Sequence, residues 1–135
     1  MNLKFAAVIA GIGLVVVVAT PVVAHHSFAA EYDTARPIVL KGVVTRIEWT
    51  NPHTHCYLDA KDETGNVTNW KFELASPNVL GQLGWRKDSF KIGDEVTVEG
   101  AMAKDGSKRA NARVVTLADG RQMSAGSSGG DVASP

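Results

Sequence analysis

The sequence predicts a small all-β domain, and three observations favour this class. The chain has 135 residues, which suits a single domain. Between Ile38 and Leu117, five segments alternate apolar and polar residues with the period of two that strands show. One short helix signal falls between the third and fourth segments. This order is typical of a five-stranded OB-fold-like Greek-key barrel, with an SH3-like barrel or a plain antiparallel sandwich as alternatives.

The first predicted strand is long and ends at Asn51-Pro52. Its apolar residues occupy odd-numbered positions: Val39, Val43, Ile47 and Trp49. Because alternate residues of a strand share a face, we expect the odd-numbered face to meet the core. Gly42 indicates a bend or a bulge, which a barrel strand needs if it is to serve both sides of the barrel.

The second predicted strand runs from His55 to Lys61 and the third from Val67 to Leu74. A hairpin loop joins them, with Gly65 at a position suited to left-handed backbone. We expect one face of each strand to be buried, and these faces carry Cys56, Leu58, Ala60, Trp70, Phe72 and Leu74. The other face of the second strand carries His55, Tyr57 and Asp59.

The helix signal begins at Ser76-Pro77, because serine caps helices and proline suits the first helical position. Gly84 suits the helix end, so the helix has about two turns. The fourth predicted strand runs from Glu95 to Ala103, with Val96, Val98 and Met102 on one side. The fifth runs from Ala110 to Leu117.

The first 24 residues have the pattern of a secretory signal peptide. Lys4 supplies a positive start, an apolar run of about 15 residues follows, and Ala24 is a small residue suited to cleavage. A retained membrane anchor would need an apolar run of about 20 residues. We therefore expect a periplasmic protein with no membrane anchor after cleavage.

After the signal peptide we expect an N-terminal arm over residues 25–37, the barrel over residues 38–121 and a flexible Gly/Ser-rich tail over residues 122–135. Removing Lys4 with the signal peptide changes the net charge from zero to about −1. That charge offers no general attraction to nucleic acid. The chain also lacks the nucleophile-elbow, phosphate-loop and H-E-x-x-H motifs of the common enzyme classes.

All four histidines fall in two short clusters, His25-His26 and His53-x-His55. Residues two apart on a strand point to one side, so His53 and His55 can share one ion if the backbone bends, and Asn51-Pro52 supplies a bend. Cleavage after Ala24 gives His25 a free α-amine beside its imidazole, and the two nitrogens can chelate a metal ion. Nitrogen-rich tetragonal coordination favours Cu(II), and zinc held by three imidazoles is the competing possibility.

The histidines also have a simpler interpretation. His25 and His26 would then be solvated residues of a frayed terminus, and His53 would hold a turn through a hydrogen bond. If a metal does bind, nearby carboxylates could orient the imidazoles through hydrogen bonds. The candidates that the sequence suggests are Glu31, Asp33 and Asp59.

Cys56 is the single cysteine, so it forms no internal disulfide, and its expected position in the core makes it a small buried apolar residue. Tyr57 and Trp85 are the aromatic candidates for a ligand-binding surface. Tyr57 shares its predicted face with His55, whereas Trp85 follows the helix and could instead cover one end of the barrel. Trp49 and Trp70 are expected in the core.

Several strings in the chain occur together in a known group of proteins. They are His25-His26-Ser27-Phe28, Trp49-Thr50-Asn51-Pro52-His53, Ser76-Pro77-Asn78, Gly84-Trp85 and Ala110-Asn111-Ala112-Arg113. In this combination the chain resembles an uncharacterised family of small exported proteobacterial proteins, catalogued as a domain of unknown function. The resemblance implies a periplasmic β-barrel without assigned activity, and it centres any site on His25, His26 and His53. His55 and Cys56 depart from the family's pattern.

We therefore expect a non-enzymatic periplasmic protein that binds a metal ion, with copper favoured. The expected ligands are His25, His26 and His53, with His55 as an optional fourth ligand. The alternative is an OB-like module that binds a small ligand, peptide, glycan or partner protein without metal. An oxidative enzyme built on a histidine brace is a third hypothesis.

Overall fold

The computed structural model describes residues 28–126, which form six strands and one helix after a helical turn at residues 28–31. The predicted residues His25 and His26 therefore lie outside the described residues. The strands are β1 (Tyr32–Glu48), β2 (His55–Lys61), β3 (Val67–Glu73), β4 (Glu95–Ala103), β5 (Arg109–Thr116) and β6 (Gln122–Ser124). The helix α1 (Pro77–Gln82) lies between β3 and β4, as the sequence predicts.

The strands close into a barrel-like ring. β1 is the longest strand and pairs antiparallel with β2 through its second half and with β4 through its first half. β2 pairs with β3, and β4 pairs with β5, in both cases antiparallel. A short parallel pairing between β3 and β5 completes the ring of hydrogen bonds. This topology confirms the prediction of an OB-fold-like barrel.

The buried face of β1 differs from the predicted one. Val39 is 62% exposed and Val43 is 40% exposed, whereas Val44 is 1% exposed. A β-bulge between Val44 and Arg46 then shifts the register, and Ile47 packs against the core. A bulge adds one residue to a strand and so reverses which alternate residues face inwards. The prediction of one odd-numbered apolar face was therefore wrong for Val39 and Val43.

The other elements follow the predicted patterns closely. Cys56, Leu58 and Ala60 of β2 are buried, as are Trp70 and Phe72 of β3, with Leu74 just beyond it. The Ser76 side chain caps α1 by accepting a hydrogen bond from the Val79 backbone N–H at 3.3 Å. Together with Val96, Val98 and the small residues of β5, these side chains form the main core.

Strand pairing extends the barrel beyond both predicted boundaries. β1 begins at Tyr32, inside the expected arm, because Tyr32 and Asp33 pair with the end of β4. Tyr32 packs with Phe28 in a small second cluster of buried residues. At the other end, β6 pairs with β5 and Ala125 is fully buried, although both lie in the expected tail.

Among the described residues, no helix is both long enough and apolar enough to span a membrane.

Gly100 lies where β4 and β5 approach each other closely. A Cβ atom at this position would collide with the backbone carbonyl oxygen of Asn111. We expect Gly100→Ala to lower the free energy of unfolding by about 3 kcal/mol, because backbone atoms on both strands would have to move apart. Gly81→Ala is the matched control, since a Cβ atom at Gly81 meets nothing within 4 Å in the helical region. Urea unfolding should show Gly81→Ala equal to or more stable than the wild type; equal destabilisation by both changes would contradict this account.

Cys56 gives a prediction about alkaline pH. Burial raises the pKa of its thiol to about 12. The unfolded chain loses this proton at a lower pH than the folded chain does, so the cysteine's contribution to stability should fall as pH rises above about 9. The free energy of unfolding, measured relative to Cys56→Ala, should decrease by up to about 1.4 kcal/mol for each pH unit between 9 and 12. A pH-independent difference, or rapid labelling of the native thiol by a disulfide reagent, would contradict the burial.

Candidate functional site

Strand register places two acidic residues on either side of His55. In the β1–β2 pairing His55 lies opposite Glu48, and in the β2–β3 pairing it lies opposite Glu73. The three residues therefore form a row across the outer face of three strands. Side chains directly opposite each other on neighbouring strands lie close enough to interact, so the register alone brings both carboxylates to one imidazole.

The Glu73 carboxylate is the centre of this row. His53 Nδ1 lies 3.4 Å from Glu73 Oε1, and His55 Nε2 lies 4.0 Å from Glu73 Oε2. The Tyr32 hydroxyl donates a hydrogen bond to Glu73 Oε2 at 3.0 Å. One carboxylate therefore joins both predicted histidines of the second cluster to the first residue of β1.

The Glu48 carboxylate holds the other side of His55. Its Oε2 atom lies 3.4 Å from His55 Nδ1 and accepts a hydrogen bond from the Tyr57 hydroxyl at 3.3 Å. Arg46 forms an ion pair with Oε1 of the same carboxylate. The His55 imidazole is thus positioned between two glutamates, and its side chain is only 21% exposed.

Burial of His55 lowers its pKa, and the nearby Lys71 ammonium lowers it further. The lowered pKa favours the neutral imidazole at neutral pH, which is the form that binds metal ions. Burial also raises the pKa of Tyr32, and the Glu73 negative charge adds to this effect. Tyr32 therefore remains a protonated donor to Glu73.

A second row of side chains runs beside the first. Arg46, Tyr57 and Lys71 lie opposite one another on β1, β2 and β3. The Arg46 guanidinium carbon lies 4.9 Å from the centre of the Tyr57 ring, and Lys71 Nζ lies 5.7 Å from it. Cations at such distances are attracted to the ring face. The positive charges of Arg46 and Lys71 therefore lie over the Tyr57 ring, next to the histidine row.

The structure separates the other predicted site residues from this network. Trp85 is 3% exposed and donates its indole N–H to the Ser124 carbonyl at 2.7 Å, so it packs in the core. Asp59 accepts a hydrogen bond from Asn69, and Asp33 accepts one from the backbone of Ala35. The Glu31 carboxylate lies 4.0 Å from Arg109. None of these three carboxylates has a described contact with His53 or His55.

Sequence reasoning missed Glu48 and Glu73, the two carboxylates that contact the imidazoles. Glu48 lies five residues before His53 and Glu73 lies 18 residues after His55, but only the register of β2 with its two neighbours reveals their contacts. Strand partners could have been guessed from the hairpin between β2 and β3, which places Glu73 opposite His55. The bulge in β1 made the corresponding guess for Glu48 impractical.

Two imidazoles and one carboxylate converge here, but they do not form a complete cage. Within residues 28–126, no three His, Cys, Asp or Glu side chains are arranged so that they could hold a metal ion. The pair His53 and His55 can supply two nitrogen donors, and Glu73 can orient them or supply an oxygen. Further donors would have to come from outside this group.

Comparison with known proteins identifies a family but no activity. A model of a family of unknown function, DUF6152, matches residues 12–112. No curated protein and no solved structure matches the chain. The matched range includes both histidine clusters, Glu48 and Glu73, and it covers more than half of the chain. The chain therefore belongs to DUF6152, a family of unknown function.

Proposed function

We propose that this protein is exported to the periplasm, loses residues 1–24, and binds a metal ion at its new N-terminus. The proposed ligands are His25, His26 and His53, with His55 as a fourth, and the favoured ion is Cu(II). The observation that carries the proposal is the convergence of both described histidines on Glu73, which also accepts a hydrogen bond from Tyr32 near the start of the described chain.

The path of the chain supports this proposal. The Phe28 ring lies 5.5 Å from the Tyr32 ring, measured between ring centres, and the Tyr32 hydroxyl contacts Glu73. His26 precedes Phe28 by two residues and His25 by three. Consecutive Cα atoms are 3.8 Å apart, so the Cα atom of His26 lies within about 8 Å of the Phe28 Cα atom, and that of His25 within about 11 Å. Only a short length of chain therefore separates the His25 and His26 imidazoles from the described residues that lead to Glu73.

The donor chemistry favours copper over harder cations. Imidazoles and one α-amine supply a nitrogen-rich set, which suits Cu(II), the ion with the highest affinity in the divalent first-row series. Glu73 would accept hydrogen bonds from the protonated ring nitrogens and so fix which nitrogen faces the metal. Burial lowers the pKa of His55, which favours the neutral imidazole that a metal ion binds. Zinc remains the chemical competitor.

Cu(II) titration of the processed protein, beginning at His25, tests the site. We expect one ion per chain with a dissociation constant below about 1 µM and nitrogen hyperfine structure in the copper spectrum. His53→Ala should weaken binding by at least about tenfold. Acetylation of the His25 α-amine should weaken it as well, because the blocked nitrogen can no longer bind the ion. Micromolar or weaker binding that His53→Ala leaves unchanged would refute the proposal.

Replacement of Glu73 separates an organised site from a loose group of histidines. Glu73→Gln keeps the side-chain shape but removes the negative charge that both imidazoles face, so we expect Cu(II) affinity to fall about tenfold or more. Asp59→Asn is the matched control on the same sheet, because its carboxylate contacts Asn69 and not a histidine. Equal affinities of the two variants would show that Glu73 has no role in the site. Circular dichroism should confirm that both variants fold.

A further inference from the structure

A cleft of about 880 Å³ adjoins the histidine site, and neither His53 nor His55 lines it. One wall is the end of β1 and the residues that follow it, 47–50, and the other is the loop containing residues 87–91. Glu48 forms part of the first wall and also contacts His55. The volume is within the range of about 300–1,000 Å³ that is usual for small-molecule sites.

The cleft has an aromatic and aliphatic lining. Ile47 and Trp49 are partly buried and pack against the main core, which leaves part of each side chain exposed to the cleft. Phe90 borders the cleft but is only 2% exposed, and it packs edge-on against Trp85 with ring centres 5.2 Å apart. Trp49 is the most accessible tryptophan, because Trp70 and Trp85 are both buried. A flat apolar ring suits this surface.

The loop wall is held in place by hydrogen bonds to β1. The Gly93 N–H donates to the Val44 carbonyl and the Val44 N–H donates to the Asp94 carbonyl, both at 2.8 Å. The Asp94 carboxylate also accepts a hydrogen bond from the Lys91 N–H at 2.9 Å. These contacts anchor the C-terminal end of the loop next to β1, so less conformational entropy is lost on binding than for a free loop.

The charges at the rim favour a monoanion. Lys87 and Lys91 are exposed, and neither forms an ion pair with a carboxylate among the described residues. The Glu48 carboxylate is already neutralised by Arg46 and hydrogen-bonded to Tyr57. Asp88 is the remaining acidic group of the lining. Among the lining side chains, two lysines without ion pairs therefore stand against one such carboxylate, whereas the Asp94 carboxylate is held at the Lys91 N–H outside the lining.

We propose that this cleft binds a small aromatic monocarboxylate. The ring would lie against Trp49 and Ile47, and the carboxylate would face Lys87 and Lys91. The lining supplies an apolar surface for the ring and an excess of one positive charge for the carboxylate. Asp88 disfavours a second negative charge on the ligand. None of the proposed metal ligands lines the cleft, so the test of this proposal needs no metal.

Benzoate is the probe for this proposal, and benzamide is its uncharged counterpart. The processed full chain is titrated in the presence of a chelator, so that no metal contributes, and binding is followed by tryptophan fluorescence and calorimetry. We expect saturable binding of benzoate with a dissociation constant at or below about 1 mM and at least tenfold weaker binding of benzamide.

The double change Lys87→Gln, Lys91→Gln should weaken benzoate binding at least tenfold. Lys61→Gln, another exposed lysine far along β2, is the matched control and should have no effect.

Several results would overturn the proposal. They are the absence of saturable benzoate binding, equal affinities for benzoate and benzamide, and equal effects of the rim and control lysine variants. Binding of hexanoate as tightly as benzoate would overturn the aromatic assignment, and binding of an acidic peptide without benzoate binding would replace the ligand class. Because the titration contains no metal, a failure here leaves the copper proposal untouched.

Discussion

The pairing of β1 with two different strands is the constraint on which the rest of the structure depends. Its first half forms backbone hydrogen bonds with β4 and its second half with β2, so this strand links the two sides of the ring. A long strand can do this only if it bends, and the bulge after Val44 supplies that change of direction. Gly42 lies at the crossing, where a Cβ atom would lie 2.7 Å from the Asp59 carbonyl oxygen.

The same pairing creates the candidate site. After the bulge, Arg46 and Glu48 point to the outer face of the sheet and meet Tyr57 and His55 of β2. The hairpin from β2 to β3 then adds Glu73 to the other side of His55. The start of β1 contributes Tyr32, whose hydroxyl reaches Glu73 from the far end of the same strand. One strand therefore supplies groups at both edges of the histidine network.

The two proposed sites are neighbours because they share the end of β1. Glu48 contacts His55 on one side and lines the cleft on the other. Its charge is balanced by Arg46, so it need not repel an anion in the cleft. The outer face of the barrel thus combines imidazoles, an aromatic cleft and lysines within a small area. Such a combination of polar groups and apolar surface is typical of binding sites.

The sequence by itself determined the order of the first five strands, the helix between β3 and β4, and the buried faces of β2 and β3. Those features depend on local patterns, such as alternation, Ser76-Pro77 and the turn at Gly65, which neighbouring residues specify without help from the rest of the chain. It also singled out His53 and His55. Only the tertiary structure decided which face of β1 is buried, where β1 begins, the recruitment of β6, and the contacts of Glu48 and Glu73. These features depend on bulges and on register between strands distant in sequence, and no local pattern records either.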